Sequence, residues 1–546
     1  MKARRSGAPP RADAGGRVSS GVGPEPLRRA AARGPTAPGA NGCAADTASR
    51  RPARPPAPLA HTALLLLLAA CSSPADNPAP TPADTDTPAD TDSPADTDAG
   101  ADTATPDTRR PVLLPVPEAV DTDPADGAFL VELRAATATL DVGGTAVSGY
   151  AYNGQVPGPT LRVRVGDTLT TLLQNDLADP TTVHWHGLRV PNAMDGAGWV
   201  DGGVAPGTAF TYTFTAADAG TFWYHPHIDV ARQVDAGLYG VVIVEDPAEP
   251  AADRDLVLVF DAWDEHGLDG GGDSGGGGAD SGGAPAADGA HDHTLTDPRT
   301  TVWTVNGLVD PVLPATAGER IRVRALNASN TSYLALRWPD MRLLATDQGR
   351  LGAPETPDLV VLAPGDRAEL EWGVAESFDV ETLLWVAAGG EAIGDARRLL
   401  SVAVDTPGAA PAPLVWPAGD TTPAADPPYT DLLYVFQGGG VGDWLINGEA
   451  WPNVTARTAA LGADTIIEVR NLSSTNHPFH LHGQRFEVLS VNGVPVPARR
   501  VEDTVDVGIR ETVRLLLRAD NPGDWLLHCH LLGHEEGGMM TVLTVE

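Results

Sequence analysis

Ten of the fourteen histidines in this chain fall into four short clusters: His184 and His186; His225 and His227; His477, His480 and His482; His528, His530 and His534. Each cluster contains one His-x-His pair. On a β-strand, residues i and i+2 face the same way, so each pair presents two imidazoles side by side. Imidazole suits copper, zinc, iron and nickel. The last cluster narrows the choice. His477, Cys529, His534 and Met539 offer two imidazoles, one thiolate and one thioether. That is the ligand group of a blue-copper electron-transfer site with a weak axial methionine. Structural zinc sites use more thiolates, and catalytic ones use carboxylate and water. His528 and His530 flank Cys529 and on a strand must face away from it. One three-residue run therefore touches two metal centres from opposite sides and is a covalent wire for electrons.

The elements that must position these residues are β-strands. Thr160–Val165 and Phe210–Phe214 alternate in polarity, and long helical patterns are scarce. Short strands punctuated by Gly and Pro predict an all-β fold of sandwiches. Asn-Gly recurs at Asn153-Gly154, Asn306-Gly307 and Asn447-Gly448, each time ahead of a Pro-containing turn and an alternating strand. A repeat of that length predicts three copies of one unit, at 126–247, 248–420 and 421–546. The outer copies share more. His184-Trp185-His186-Gly187 matches His480-Leu481-His482-Gly483, and Gly220 to His227 matches Gly523 to His530. The middle copy has neither motif, and its 267–297 stretch reads as a flexible Gly-, Asp- and Ser-rich loop.

These four motifs, His-Trp-His-Gly, Trp-Tyr-His-x-His, His-Pro-Phe-His-Leu-His-Gly and His-Cys-His-x₃-His-x₄-Met, resemble those of the three-domain multicopper oxidases, which include laccases and bacterial cuprous oxidases. The likeness spans about 126–546, with every motif complete. It implies three consecutive cupredoxin-like Greek-key β-sandwich domains and four copper ions. A type 1 copper maps onto His477, Cys529, His534 and axial Met539. A type 2 copper maps onto His184 and His480, and a type 3 pair onto His186, His225, His227, His482, His528 and His530. Pro226 stands where the third copy has Cys529, so the first copy cannot build a second type 1 site. The implied reaction takes single electrons from a reducing substrate and reduces O₂ to water, which also needs protons. Asp195 and Glu535 sit where bacterial relatives place acids near the cluster, and they are the candidate proton carriers.

The donor is the open question. The favoured reading is a laccase-like oxidase of phenols or aromatic amines. The alternative is a metallo-oxidase of Cu(I), Fe(II) or Mn(II), weakened because five methionines leave no Met-rich insert. A non-catalytic copper-binding lipoprotein, a copper-free sandwich and a copper nitrite reductase are further alternatives. Intact candidate ligands at all ten histidines and Cys529 argue against the copper-free sandwich, and the complete eight-histidine set argues against the reductase. His291 and His293 in the Gly-rich loop, and His61 and His266, read as unengaged.

The remaining composition speaks of address. The net charge of −35 makes the chain a poor partner for nucleic acid or an anionic membrane surface. Leu64 to Leu68 followed by Ala69-Ala70-Cys71, with Arg50, Arg51 and Arg54 ahead, reads as an export signal too short to span a bilayer. The last four residues resemble a bacterial lipobox, so 1–71 is read as an extension plus a lipoprotein-type signal. Pro-Ala-Asp-Thr-Asp repeats at 82–86, 88–92 and 94–98, and 72–125 is read as a disordered acidic tether. The implied address is the periplasm or cell surface of a bacterium, with membrane attachment only through a lipid at Cys71. Only Cys529 would then remain as a free thiol, which marks it as reactive or metal-bound.

Overall fold

The structure is a computed structural model, and it describes residues 110–123, 125–198, 202–264, 301–386, 391–438 and 444–546. The stretch read as an export signal, with Cys43, His61 and Cys71, most of 72–125, and the stretch with His266, His291 and His293 lie outside the described residues.

The described residues are mostly β-strand, with two short α-helices, Val230–Asp235 and Leu532–Glu536. The fold is all-β, as expected. Six sheets follow one another along the chain in three pairs. One sheet of the first pair orders its strands Thr145–Tyr152, Ala128–Val142, Thr168–Asn175, Ala209–Thr215. Its companion orders Leu161–Arg164, Gly240–Glu245, Gly220–His225, His184–His186. The middle and third pairs each combine a seven-stranded with a five-stranded sheet.

Burial explains the strand patterns. Thr168–Asn175 buries every second residue, because only one face of that sheet meets a core. Gly220–His225 and Gly240–Glu245 are buried almost throughout. Their inner face joins Leu161, Trp185 and Tyr212 in the first core. Their outer face carries Trp223, Val241 and Ile243 onto Val257, Val259 and Leu326 of the middle pair. Each such aliphatic or aromatic side chain contributes about 1.5–3 kcal/mol when fully buried.

The repeat is visible atom by atom. Asn153, Asn306 and Asn447 all have positive φ, as do the glycines after them, which is the turn geometry that Asn-Gly favours. In each copy the Asn side chain clamps the neighbouring strand in the same way. Asn153 accepts from Arg134 N–H and donates to Glu132 O; Asn306 does so to Val259 and Val257, and Asn447 to Val435 and Leu433. A second triplet was not read from the sequence. Asn175, Asn327 and Asn471 are buried and each donates to two backbone carbonyls, one of them from a loop a few residues on. These asparagines satisfy backbone groups that would otherwise be buried without partners.

Candidate copper centres

Two groups of side chains meet the description of a metal site. The smaller is a triangle in the third sheet pair. His477 Nδ1 lies 3.3 Å from Cys529 Sγ, Cys529 Sγ 3.6 Å from His534 Nδ1, and the two Nδ1 atoms 3.2 Å apart. The centre of such a triangle is about 2 Å from each corner, close to a metal–nitrogen or metal–sulfur bond length. Local folding explains the spacing of the ligands. Strand Gly523–Cys529 ends at the cysteine, and Leu532–Glu536 makes a single helical turn that swings His534 back over the sulfur. The chain then returns. Cys529 N–H donates to Met539 O at 3.1 Å, and Met539 N–H to His534 O at 3.0 Å. Met539 is thus anchored beside both ligands and fully buried. The outer nitrogen of His477, Nε2, is 2.7 Å from Ser473 Oγ, and the His534 ring stacks on Trp444 at 3.7 Å.

The larger group holds the other eight histidines, four from the first sheet pair and four from the third. Each His-x-His pair presents its rings side by side, with centroids 5.9, 6.2, 5.1 and 5.7 Å apart in chain order. The halves interleave. His184 stacks on His482 and His186 on His480, both at 3.7 Å. Strand pairing repeats this symmetry, with His184 opposite His225 and His480 opposite His528. Cys529 faces the triangle while His528 and His530 face the eight-histidine group, so the two centres are joined through one residue on either side.

Two segments, 134–249 and 422–546, match models of the multicopper oxidase family. "Multicopper oxidase MmcO" of Mycobacterium tuberculosis is 34% identical over 464 residues, which is 77% of this chain and 89% of that protein. The chain belongs to the multicopper oxidase family. It is an oxidoreductase that couples copper-dependent oxidation of a reducing substrate to reduction of O₂. Among solved structures, a multi-copper oxidase from Pseudomonas thermotolerans shares 32% identity at a TM-score of 0.61, covering 77% of this chain and 99% of that one. A laccase-like multi-copper oxidase from Ochrobactrum sp., described as acting on lignin model compounds, shares 26% identity at a TM-score of 0.65, covering 80% of this chain and all 100% of that one.

Multicopper oxidases hold four coppers, and the side chains here fit them. The test is which ring nitrogens lack partners. Nε2 of His184, His225 and His480, Nδ1 of His186 and both nitrogens of His530 are buried without a hydrogen bond. His482 Nε2 and His528 Nε2 face each other at 3.0 Å, and His227 Nε2 and His528 Nε2 at 3.5 Å. The opposite nitrogens are occupied. His184 Nδ1 donates to Asp195 O, His225 Nδ1 to Pro226 O, His480 Nδ1 to Asp503 O and His528 Nδ1 to Cys529 O, at 2.8–3.1 Å. An outer N–H held by an oxygen fixes the tautomer and leaves the inner lone pair for a metal. His186 is reversed: its Nε2 is 3.1 Å from Asp503 Oδ1, so Nδ1 points inward.

Electrostatics agrees. Burial, reinforced by neighbouring imidazoles, pushes His186, His225, His482 and His530 well below the usual histidine range. It pushes His227 down to about 3 and His480 to about 4. These rings are neutral at pH 7, as ligands must be. Burial also raises the Cys529 thiol, so metal binding there has to displace a proton.

The candidate acids are both at the larger group. Asp195 is buried, with Oδ2 2.9 Å from His482 Nδ1 and Oδ1 3.3 Å from His184 Nδ1. Glu535 is buried with Oε1 3.4 Å from His227 Nε2 and Oε2 3.0 Å from His528 Nδ1. In each, one oxygen (Oδ1 and Oε2) lacks a properly directed hydrogen bond, despite the short contact. Burial pushes Glu535 up, but His227 and His528 more than offset it, and the carboxyl sits below its usual range.

Sequence reasoning missed Asp503, Thr504 and Arg367. Asp503 is the symmetry mate of Asp195. Each aspartate gives its backbone carbonyl to the first histidine of its own unit and its carboxylate to the second histidine of the other unit. Asp195 follows His184 by 11 residues, whereas Asp503 follows His480 by 23, and that unequal spacing hid the match. Arg367 comes from the middle unit, where no metal motif exists to draw attention to it.

Proposed function

We propose that this multicopper oxidase takes electrons from phenols or aromatic amines at the triangle formed by His477, Cys529 and His534, with Met539 as axial ligand. The supporting observation is what surrounds that triangle. His477, Cys529 and Met539 have no exposed surface, while His534 keeps 7% and lies flat against the partly exposed indole of Trp444. Phe436 and Trp444 both meet the His477 ring edge-on. Phe436 is fully buried, so Trp444 is the ring a donor would meet, and a planar aromatic donor suits it better than a hydrated metal ion does. Copper, when bound, supplies one-electron redox steps at the triangle and the four-electron chemistry of O₂ at the eight-histidine group.

The protein's own residues do the rest. His184 and His480 are read as type 2 ligands, and His186, His225, His227, His482, His528 and His530 as the type 3 set. Asp195 and Glu535 are read as the proton carriers, each with one anchored and one open carboxylate oxygen beside an imidazole. Domain edges near 126–247, 248–420 and 421–546 belong to the same reading. So does export to the periplasm or cell surface with a lipid on Cys71, which rests on the leucine run and the cysteine after it. Cys71→Ala should release the protein from a membrane fraction.

The deciding experiment is O₂ uptake by the copper-loaded protein with a phenol, Cu(I) and Fe(II) in parallel. The fastest turnover is expected with the phenol. Faster turnover with a metal ion would reject the aromatic donor in favour of the metallo-oxidase reading.

A further inference from the structure

Arg367 is buried to 1% exposure and uses every N–H it has. Nε donates to Thr221 O in the first unit. Nη1 donates to Gly365 O and to Asp503 Oδ1, and Nη2 to Asp347 O and to Asp503 Oδ2. The guanidinium therefore grips both oxygens of Asp503 in a planar fork, the geometry for which arginine is suited and lysine is not. Gln348 adds a further donor to Asp503 Oδ2 at 2.6 Å and reaches Gly187 O in the His-Trp-His-Gly motif.

What this fork holds is the orientation of the proton on His186. Thr504 Oγ1 donates its single hydrogen to Asp503 Oδ1 at 2.9 Å. Its lone pairs are then left for His480 Nδ1 at 3.0 Å and His186 Nε2 at 3.2 Å. His480 must carry its hydrogen on Nδ1, where Asp503 O also accepts it at 3.0 Å, and His186 must carry its hydrogen on Nε2, which meets only Asp503 Oδ1 and Thr504 Oγ1. The nitrogens left bare are His480 Nε2 and His186 Nδ1, the two that lack partners and face the cluster. If the carboxylate were free to rotate, the hydroxyl hydrogen could turn toward a ring nitrogen. The hydrogen on that ring would then occupy the ligand position. The outer nitrogens of His184, His225, His480 and His528 rest on backbone carbonyls, which cannot reverse roles, so His186 is the ring that depends on side chains alone.

We propose that Arg367, from the unit that contributes no copper ligand, is a positioning residue of the eight-histidine centre: by clamping Asp503 it sets the tautomer of His186. This rests on the ligand assignment above. The middle unit is then part of the metal site through charge and geometry, without touching a metal.

The test uses the full-length copper-loaded protein. Arg367→Met and Arg367→Lys are titrated with a copper chelator, following the blue absorbance of the type 1 copper and the total bound copper separately. Loss of an outer partner typically costs 10- to 100-fold in metal affinity. The expected result is a loss of that size at the eight-histidine centre in both variants, with the blue absorbance unchanged. Lysine should not rescue, since it keeps the charge but not the fork. Thr504→Val leaves the ion pair intact and removes the shared acceptor; it should give the same selective loss even if the Arg367 variants fail to fold. Wild-type retention of cluster copper in Arg367→Met or Thr504→Val would overturn the proposal. So would parallel loss of the blue copper in Thr504→Val, which would mark a general structural role. A wild-type chain without blue absorbance would overturn the ligand assignment together with this inference.

Discussion

Gly187, the last residue of His-Trp-His-Gly, offers the sharpest perturbation. Its φ is +84°, and a Cβ added there would lie 2.6 Å from both Arg367 Nη2 and Asp503 Oδ2, and 3.0 Å from the Phe222 ring. Neither polar atom can yield freely, because each is fixed by its own hydrogen bonds. A left-handed conformation costs an L-residue roughly 1–2 kcal/mol. Disrupting a buried ion pair costs about 3–5 kcal/mol. Gly187→Ala should therefore destabilise by about 4–7 kcal/mol, a large share of the 5–15 kcal/mol typical of a folded protein. Gly154→Ala isolates the clash, since Gly154 has φ +78° with nothing within 4 Å of its would-be Cβ. That variant should lose only the backbone cost. Three sheet pairs need not unfold in one step, so the assay is the midpoint of thermal loss of tryptophan fluorescence in the copper-free protein. A drop on the order of 10 °C is expected for Gly187→Ala and a few degrees for Gly154→Ala. Equal drops would show that the ion pair yields to an added methyl group and that its rigidity has been overestimated.

Other expectations follow from the same geometry. Cys529→Ser should abolish the blue colour while leaving copper at the eight-histidine group, since the cysteine faces only the triangle; loss of all copper would contradict two separable centres. Met539→Leu should keep the type 1 copper and raise its potential, because a weak electron donor is removed from the axial position; an unchanged potential in voltammetry would exclude Met539 as a ligand. His227 and His480 titrate at about 3 and about 4 in the fold, against roughly 6.5 in an unfolded chain. The unfolded chain therefore binds more protons between those values. The stability of the copper-free protein should be complete above pH 6.5 and fall as pH drops toward 4. Urea midpoints at pH 7, 5.5 and 4.5 measure this, and a flat profile would mean the rings are not buried neutral. Copper loading at Cys529 should tighten as pH rises, because burial raises the thiol that must lose its proton; pH-independent loading, followed by blue absorbance, would argue against that.

The histidines, Cys529 and Met539 that the structure gathers, and their division between two groups, were legible in the chain before folding. Strand periodicity put His184 and His186, or His528 and His530, on one face and Cys529 on the other, because side chains alternate by covalent geometry alone. The Asn-Gly turns announced the threefold repeat for a similar reason: few residues tolerate positive φ at two successive positions. That Cys529 and its flanking histidines would link the two groups needed no tertiary information, since all three residues are consecutive in the chain.

How the halves interlock, and what holds them, became visible only in the folded molecule. That His184 stacks on His482 and His186 on His480 depends on how two distant sheets dock, which no local period encodes. Asp503 escaped notice because the loop between it and His480 is longer than the one between His184 and Asp195, so its symmetry appears only in space. Arg367 escaped because a single arginine in a long acidic chain carries no pattern. Its meaning comes from burial. Deep in the protein a carboxylate cannot stay charged without a partner. The middle unit, silent in the sequence, supplies that partner because folding brings it against a charge that has no other access to solvent.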